Sequence, residues 1–332
     1  MSVLKKPPVA GVDYPTAWGQ FLDWFHSEDA CREYLEKLKW EDGFFCKQCK
    51  CVTSAKPTSR NRWVCNNCKY QTTVTAGTLF DKTRTELRVW FAALWYVTSQ
   101  KHGVSALGLQ RVLGLGSYET AWTMLHRLRR AMVNPHRSKL NGRVEVDESY
   151  LSIKDIADEN QTFKSSTEKV LVGIAIEIKE PKQFGRIRVQ RLINSKADCL
   201  ENFICTSIEP NSQIHTDGSF SYRKLSDMGY QHFRTVHSGS QIPAHESMPG
   251  VHRVASLLQR WTLGTHHGAI KPKQLDFYLD EFVFRFNRRT STSRGLLFYR
   301  LIRQAVSSIP VTYKDIVSKP EKHIQVLRGY PL

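Results

Sequence analysis

Residues 143–153 read RVEVDESYLSI, and their alternation decides the fold of the chain's second half. Val144 and Val146 recur at period two, the period of a strand and not of a helix. This sets Glu145 and Asp147 on one face and Val144, Val146 and Glu148 on the other. A carboxylate in the middle of a strand bound for the interior is unfavourable unless it is paired or holds a cation. Asp147 is therefore half of a buried salt bridge or part of a metal site. Outward from this stretch, KVLVGIAIEI (169–178), a nearly continuous apolar run, and RIRVQRLI (186–193) read as two further strands. A helix over about 196–208 and a fourth strand, SQIHTD (212–217), follow. Its last residue, Asp217, precedes Gly218 and is equally well placed as a turn former. LDFYLDEFVFRFNRR (275–289) reads as an amphipathic helix, with Leu275, Tyr278 or Leu279, Phe282 and Phe286 as its apolar stripe. Three strands, a helix, a further strand and more helices predict an α/β domain with a mixed sheet.

Toward the N-terminus the period returns to that of a helix. TELRVWFAALWYVTSQ (85–100), GVSALGLQRVLG (103–114) and SYETAWTMLHRLRRAM (117–132) read as three helices. Gly103 and Gly114 punctuate them, and Ser105 and Ser117 are placed to cap the second and third. Two short helices joined by a Gly-containing turn predict a helix-turn-helix. Residues 79–140 carry ten Lys and Arg against three Asp and Glu. The basic end at Arg127, Arg129 and Arg130 is thus a candidate DNA contact, with a merely solvated basic face as the alternative. Residues 16–40 form a further helical unit, with Ser27 followed by Glu28 and Asp29 as the cap and acidic first turn of its second helix.

Between these helical segments lie Cys46-Lys-Gln-Cys49 and Cys65-Asn-Asn-Cys68, 15 residues apart. Thiolates two residues apart on a tight turn can share one Zn²⁺ at about 2.3 Å, and two such turns complete a tetrahedron. The spacing is that of a zinc ribbon, while redox pairs would call for a βαβ setting. Cys51 is an extra thiol that competes as a ligand. Lys47, Lys50, Arg60, Arg62 and Lys69 surround the four ligands. A closed four-cysteine site leaves no open position for substrate, so the zinc is expected to hold a basic hairpin together.

The whole composition agrees with a polyanion partner. Forty-eight Lys and Arg against 31 Asp and Glu give a net charge of +17, while 41% hydrophobic and 11% aromatic residues exclude a disordered basic tail. No apolar run approaches the roughly 18 to 20 residues that span a bilayer. The N-terminus lacks the apolar stretch of a secretory signal, and eight scattered cysteines are too few for a disulfide scaffold. A soluble, cytoplasmic nucleic-acid protein is expected.

In order, the chain runs through WEDGF, the two cysteine pairs, QTTVTAGTLFDKT, GVSALGLQRVLG, TAWTMLHRLRRAM, VEVDESYL, HTDGSFSY, LGTHH and LDEFVFRFNRR. This succession resembles the zinc-ribbon class of bacterial insertion-sequence transposases over about residues 14–292. The resemblance implies a multidomain α+β chain. Its parts are a helical lead (14–40), a zinc ribbon (41–78), a helix-turn-helix DNA-binding domain (79–138) and a ribonuclease-H-like catalytic domain (141–292), with a C-terminal extension (293–332). It also implies an acidic triad of Asp, Asp and a third residue, often Glu or Asn, holding two Mg²⁺ or Mn²⁺ ions. Asp147 and Asp217 fall on the first two positions.

At the third position the sequence departs from the family. Where a Glu and then Leu-Leu-Lys-Arg often stand, this chain has GVHRVASLLQRW (250–261). Aligning Leu257 and Leu258 puts His252 at the ligand position and Gln259 at the Lys position, with Arg253 and Arg260 close by as DNA contacts. Glu246 is the next candidate ligand. The function implied is cleavage and strand transfer at the inverted ends of the element, by a dimer or higher oligomer on double-stranded DNA in the nucleoid. The alternative is a transposase-derived DNA-binding regulator with a lapsed catalytic site.

Overall fold

The computed structural model describes residues 7–134, 137–154, 167–179, 183–235 and 247–318. They fall into two compact units: residues up to Met132 together with Ser291–Ile316, and Val133–Thr290 with the residues after Ile316.

The first unit begins with helices α1 (Trp18–Trp24) and α2 (Glu28–Lys39). Ser27 caps α2 through the Ala30 N–H at 3.2 Å, as its sequence predicts. Two small hairpins follow, β1 (Phe44–Phe45) with β2 (Val52–Thr53), and β3 (Trp63–Val64) with β4 (Gln71–Thr72). Then come α3 (Leu87–Ser99), α4 (Ala106–Leu113) and α5 (Tyr118–Ala131). The first two N–H groups of α3 donate to Glu28 on α2, at 2.9 and 3.2 Å, so one acidic side chain caps a helix far along the chain. Ser105 caps α4 and Ser117 caps α5, while Gly114 closes α4 in the left-handed conformation at φ 62°.

The second unit is built on a five-stranded sheet: β5 (Arg143–Lys154), β6 (Thr167–Lys179), β7 (Gln183–Arg191), β8 (Gln213–Asp217) and β9 (Gln231–Thr235), in the order β7-β6-β5-β8-β9. The first three pair antiparallel, and β8 and β9 continue parallel to β5. Order and orientation are those of a ribonuclease-H-like sheet, as the resemblance implies. Helix α6 (Ala197–Ser207) covers one face, where Val144 and Val146 meet Leu200, Phe203 and Ile204. Helices α7 (Pro249–His266) and α8 (Leu275–Phe286) cover the other, where Leu151 and Ile153 meet Val254, Leu258 and Leu279. The period-two alternation thus sorts its residues onto the two faces as the sequence predicts.

Helix α8 forms where the amphipathic pattern predicts, but its polar side is covered too. Its stripe faces the sheet, but Asp276, Asp280 and Glu281 are buried as well. Arg285 accompanies Glu281 at 2.6 Å and Arg191 reaches Asp276 at 3.4 Å, so ion pairing lets polar residues sit inside. After α8, Asn287 hydrogen-bonds both backbone groups of Ile187 at the sheet edge, at 2.7 and 3.2 Å, closing part of an otherwise open strand.

The chain then returns to the first unit through α9 (Arg294–Ser307), followed by α10 (Tyr313–Ser318). Phe298 is fully buried among Phe21, Phe25, Phe91 and Trp95, with ring centroids 5.6–6.0 Å away. Gly295 lies against the Pro15 carbonyl, where a Cβ would collide with backbone. Residues 291–316, most of them in the stretch the sequence assigns to a C-terminal extension, therefore pack into the core of the first unit. The remainder of that expected extension, from residue 319, lies outside the described residues, as does Glu246.

Candidate functional site

The ribbon's two knuckles are built alike. In the first, the Lys50 N–H donates to Cys46 O and the Cys46 N–H to Cys51 O, both at 2.9 Å. In the second, Lys69 donates to Cys65 O at 3.0 Å and Cys65 to Tyr70 O at 2.9 Å. Lys50 and Lys69 occupy equivalent left-handed positions, φ 62° and 60°, that turn each chain back past its pair of thiols. The four sulfurs Cys46, Cys49, Cys65 and Cys68 lie within 4.8 Å of one another, and two of the spacings are 3.6 Å. A tetrahedron with metal–sulfur bonds of about 2.3 Å has edges of about 3.8 Å, so this quartet fits a structural Zn²⁺. The Cys51 N–H and the neighbouring thiols pull the Cys49 thiol down to about 6, toward the thiolate that a metal requires. Cys51 stands outside the quartet, its sulfur bonded to the Cys49 carbonyl and the Asn67 amide. Lys39 ties the ribbon's exit down by donating to the carbonyls of Val74 and Ala76, at 2.7 and 2.8 Å.

The second site follows from strand register. Strands β5 and β8 are parallel and their last paired residues are Glu145 and His215. Two residues further along each strand stand Asp147 and Asp217, at matching positions beyond the last paired residues and close enough for each charge to be felt by the other. Burial pushes the Asp147 carboxyl up to about 7, with the negative charges of Glu148 and Asp217 adding to the shift. Glu148 is raised for the same reasons and accepts a hydrogen bond from the buried Tyr222 hydroxyl. Asp217 accepts from the Ser219 N–H at 3.0 Å, which fixes the turn after β8.

His252 stands half-buried on the first turn of α7. It lines a small pocket together with Asp147, Glu148, Ser149, Ile174, Val251 and Ala255. The sequence register therefore leads to a residue beside Asp147. Among the described residues, however, Asp147, Asp217 and His252 do not draw their ligand atoms within 4.8 Å of one another as the cysteines do. The start of α7 is held by Glu145, 2% exposed, which accepts from the N–H groups of Gly250 and Val251 at 2.7 and 3.1 Å. Gly250 is required there, because a Cβ would lie 2.7 Å from that carboxylate oxygen.

Sequence reasoning missed three participants. Glu148, set by alternation on the opposite face, reaches the same pocket; its signal was the adjacent Asp-Glu doublet. Tyr222 and the capping role of Glu145 left no local signal, since their partners lie 74 and 105 residues away. Gln259, at the position of the family's Lys, bonds both backbone groups of Ser152 on β5, at 3.3 and 3.5 Å. Arg253 and Arg260 are exposed two turns apart on α7.

On α5 the structure departs from the expected DNA face. Arg129 and Arg130 are 1% and 5% exposed and Arg127 is half-buried, with burial pushing its guanidinium below the usual value. Buried guanidinium groups present no phosphate-binding face. The apolar pattern hid this, because the basic end of a helix reads as surface unless its neighbours are known. The exposed part of the two-helix segment includes Leu107, Arg111 and Val112 on α4 and the first turn of α5, where Tyr118 is 53% exposed.

Two carboxylates on neighbouring strands of a ribonuclease-H-like sheet lie downstream of a four-cysteine ribbon, and comparison with known families bears on both parts. Residues 139–287 match the ISXO2-like transposase domain and residues 26–71 the transposase zinc-ribbon domain. The chain thus carries, in order, the two domains of an insertion-sequence transposase. It is 24% identical over 274 residues to an uncharacterized protein in transposable element ISH50 of Halobacterium salinarum, covering 79% of this chain and 91% of that relative. Among the described residues, no helix is long and apolar enough to cross a membrane.

Proposed function

We propose that the protein binds the inverted ends of its insertion sequence, cuts the DNA there and joins the freed 3′ end to target DNA, as a dimer or higher oligomer that holds two ends. The observation that carries the reading is the pair Asp147 and Asp217, at matching positions on adjacent parallel strands inside a transposase-family domain. The donor set fits a hard divalent cation. Three carboxylates crowd the two neighbouring strands, and burial with that crowding favours the neutral form of Asp147 until a cation supplies the opposite charge. Asp147, Asp217 and His252 would hold Mg²⁺ or Mn²⁺, and two such ions would supply activation of an attacking water or 3′-hydroxyl and charge stabilisation of the leaving oxygen in in-line phosphodiester displacement.

The chain's own residues supply position. Glu145 fixes the start of α7 and so the direction of His252, and the Asp217 turn is closed by Ser219. Arg253 and Arg260 take phosphates flanking the cut, and the lysines of the ribbon with the exposed turn of α5 take the element end.

The test is labelled end DNA incubated with Mg²⁺ and target plasmid. Cut and joined product is expected. Binding without cutting favours the lapsed regulator, and cutting without joining a nuclease. His252→Ala should cripple cleavage with end binding intact, whereas His252→Glu should keep substantial activity. Normal cutting by His252→Ala would remove His252 from the ligand set.

A further inference from the structure

Among the described residues, the two most exposed large hydrophobic side chains are Ile193 at 87% and Phe220 at 80%. They are not scattered. Ile193 follows β7 and Phe220 follows β8, and both strands run in the direction of β5; β7 ends level with Ser149, two residues past Asp147, and β8 ends at Asp217, so both residues leave the sheet at the same end. The Ser221 hydroxyl donates to the Ser195 carbonyl at 3.0 Å and staples the two loops together.

Phe220 is also held rigidly. Asp217 accepts from the Ser219 N–H at 3.0 Å, the Ser219 hydroxyl from the Ser221 N–H at 3.3 Å, and Arg234 donates to the Gly218 carbonyl at 2.7 Å. An aromatic ring kept in water on a backbone tied down on both sides has forgone burial without gaining freedom. Such a ring three residues from a site carboxylate is placed to meet something that comes to that site.

We propose that Phe220, with Ile193 on the loop stapled to its own, is a stacking platform for an unpaired nucleobase next to the phosphate that is cut. The inference rests on the proposed transposase reading and extends it to a contact with substrate. The chemistry suits that occupant. Lys196, Arg223, Lys224 and Arg234 are exposed around the pair against Asp198 and Asp227, a cationic rim about an apolar centre. Single-stranded DNA is gripped in this way, by base stacking on an aromatic face with phosphates on the surrounding cations. Two side chains fall far short of the roughly 800 Å² per partner of a stable protein interface, but they match the face of one base.

The experiment uses the full chain and end DNA carrying 2-aminopurine at single positions on either side of the cleavage site, read by fluorescence on binding and, with Mg²⁺, by cleavage. The wild-type protein should raise the fluorescence at one flanking position, reporting an unstacked base. Phe220→Ala should lose that rise and cut about 5- to 100-fold more slowly, the range one base–aromatic stack is worth, with end affinity within about twofold. Phe220→Trp should retain both signals. Loss of the fluorescence response in Phe220→Ala supports the platform even if the wild-type protein does not cut, in which case the activity reading fails alone. The platform is overturned if Phe220→Ala gives the wild-type response and rate, if no flanking position responds, or if Phe220→Ala instead turns a sedimenting dimer into monomer, which would make the patch a self-association surface.

Discussion

On the proposed reading, Asp147 trades stability for a cation site. Its carboxyl is raised to about 7 in the folded protein, against about 3.9 in an unfolded chain, so the folded state binds the extra proton between those values. For a carboxyl raised in this direction, metal-free stability falls as pH climbs from about 4 to 7. Asp147→Asn removes the charge at constant shape. It should raise the melting temperature in EDTA at pH 7 by the equivalent of about 1–2 kcal/mol and abolish the stabilisation that Mg²⁺ gives the wild type. A thermal melt with and without Mg²⁺ checks both, and a lower melting temperature for Asp147→Asn in EDTA would mean that the charge is already paired within the protein. At this scale the sequence was informative wherever periodicity alone decides, as for Asp147 and Glu145 sharing a face. It was silent about Tyr222 and Gln259, whose roles depend on which strand edge is left open.

The elements differ in how far they stand on their own chemistry. The ribbon's strands are two residues long each, and beyond a small apolar cluster of Phe44, Ala55, two cysteines and the rings of Trp40 and Trp63, the metal is its main cross-link. Cys65→Ser should lose zinc and unfold the ribbon while the five-stranded sheet stays folded. Metal analysis with far-ultraviolet dichroism and limited proteolysis would read this, and a purified wild-type protein without zinc would sink the assignment. Helix α5 carries the opposite lesson. Arg129→Ala should act on stability, because a fully buried side chain leaves a cavity and stranded partners, at about 2–4 kcal/mol. Arg111→Glu, on the exposed side of α4, should leave the melt unchanged and weaken end binding about tenfold or more. Equal DNA affinity for Arg111→Glu and wild type would move the interface off this segment. Caps and turns were legible, as Ser105, Gly114 and Ser117 show, because they act within a few residues. The burial of α5 and of the polar side of α8 was not, because helix periodicity records one apolar face and says nothing about a second covering.

For the molecule as a whole, the strand order was implied by family resemblance, while the return of α9 to the N-terminal core left no trace that a motif could capture. Phe298 is one apolar residue among many in the sequence; only its place amid four aromatic rings explains why the chain comes back. The net charge of +17 belongs to this scale too. It makes end binding steeply salt-dependent, since each neutralised phosphate releases condensed counterions. Affinity should fall about 10³- to 10⁵-fold between 50 and 200 mM salt if some six to ten phosphates are contacted. A nearly flat salt dependence in a filter-binding titration would contradict a phosphate-dominated interface. The central claim, that Asp147 and Asp217 form the cutting site, is tested most directly by incubating labelled end DNA and target plasmid with Mg²⁺ and each of Asp147→Asn and Asp217→Asn. Both variants should bind the ends within about twofold of wild type and yield neither cut nor joined DNA; cleavage near the wild-type rate by either variant would contradict the assignment.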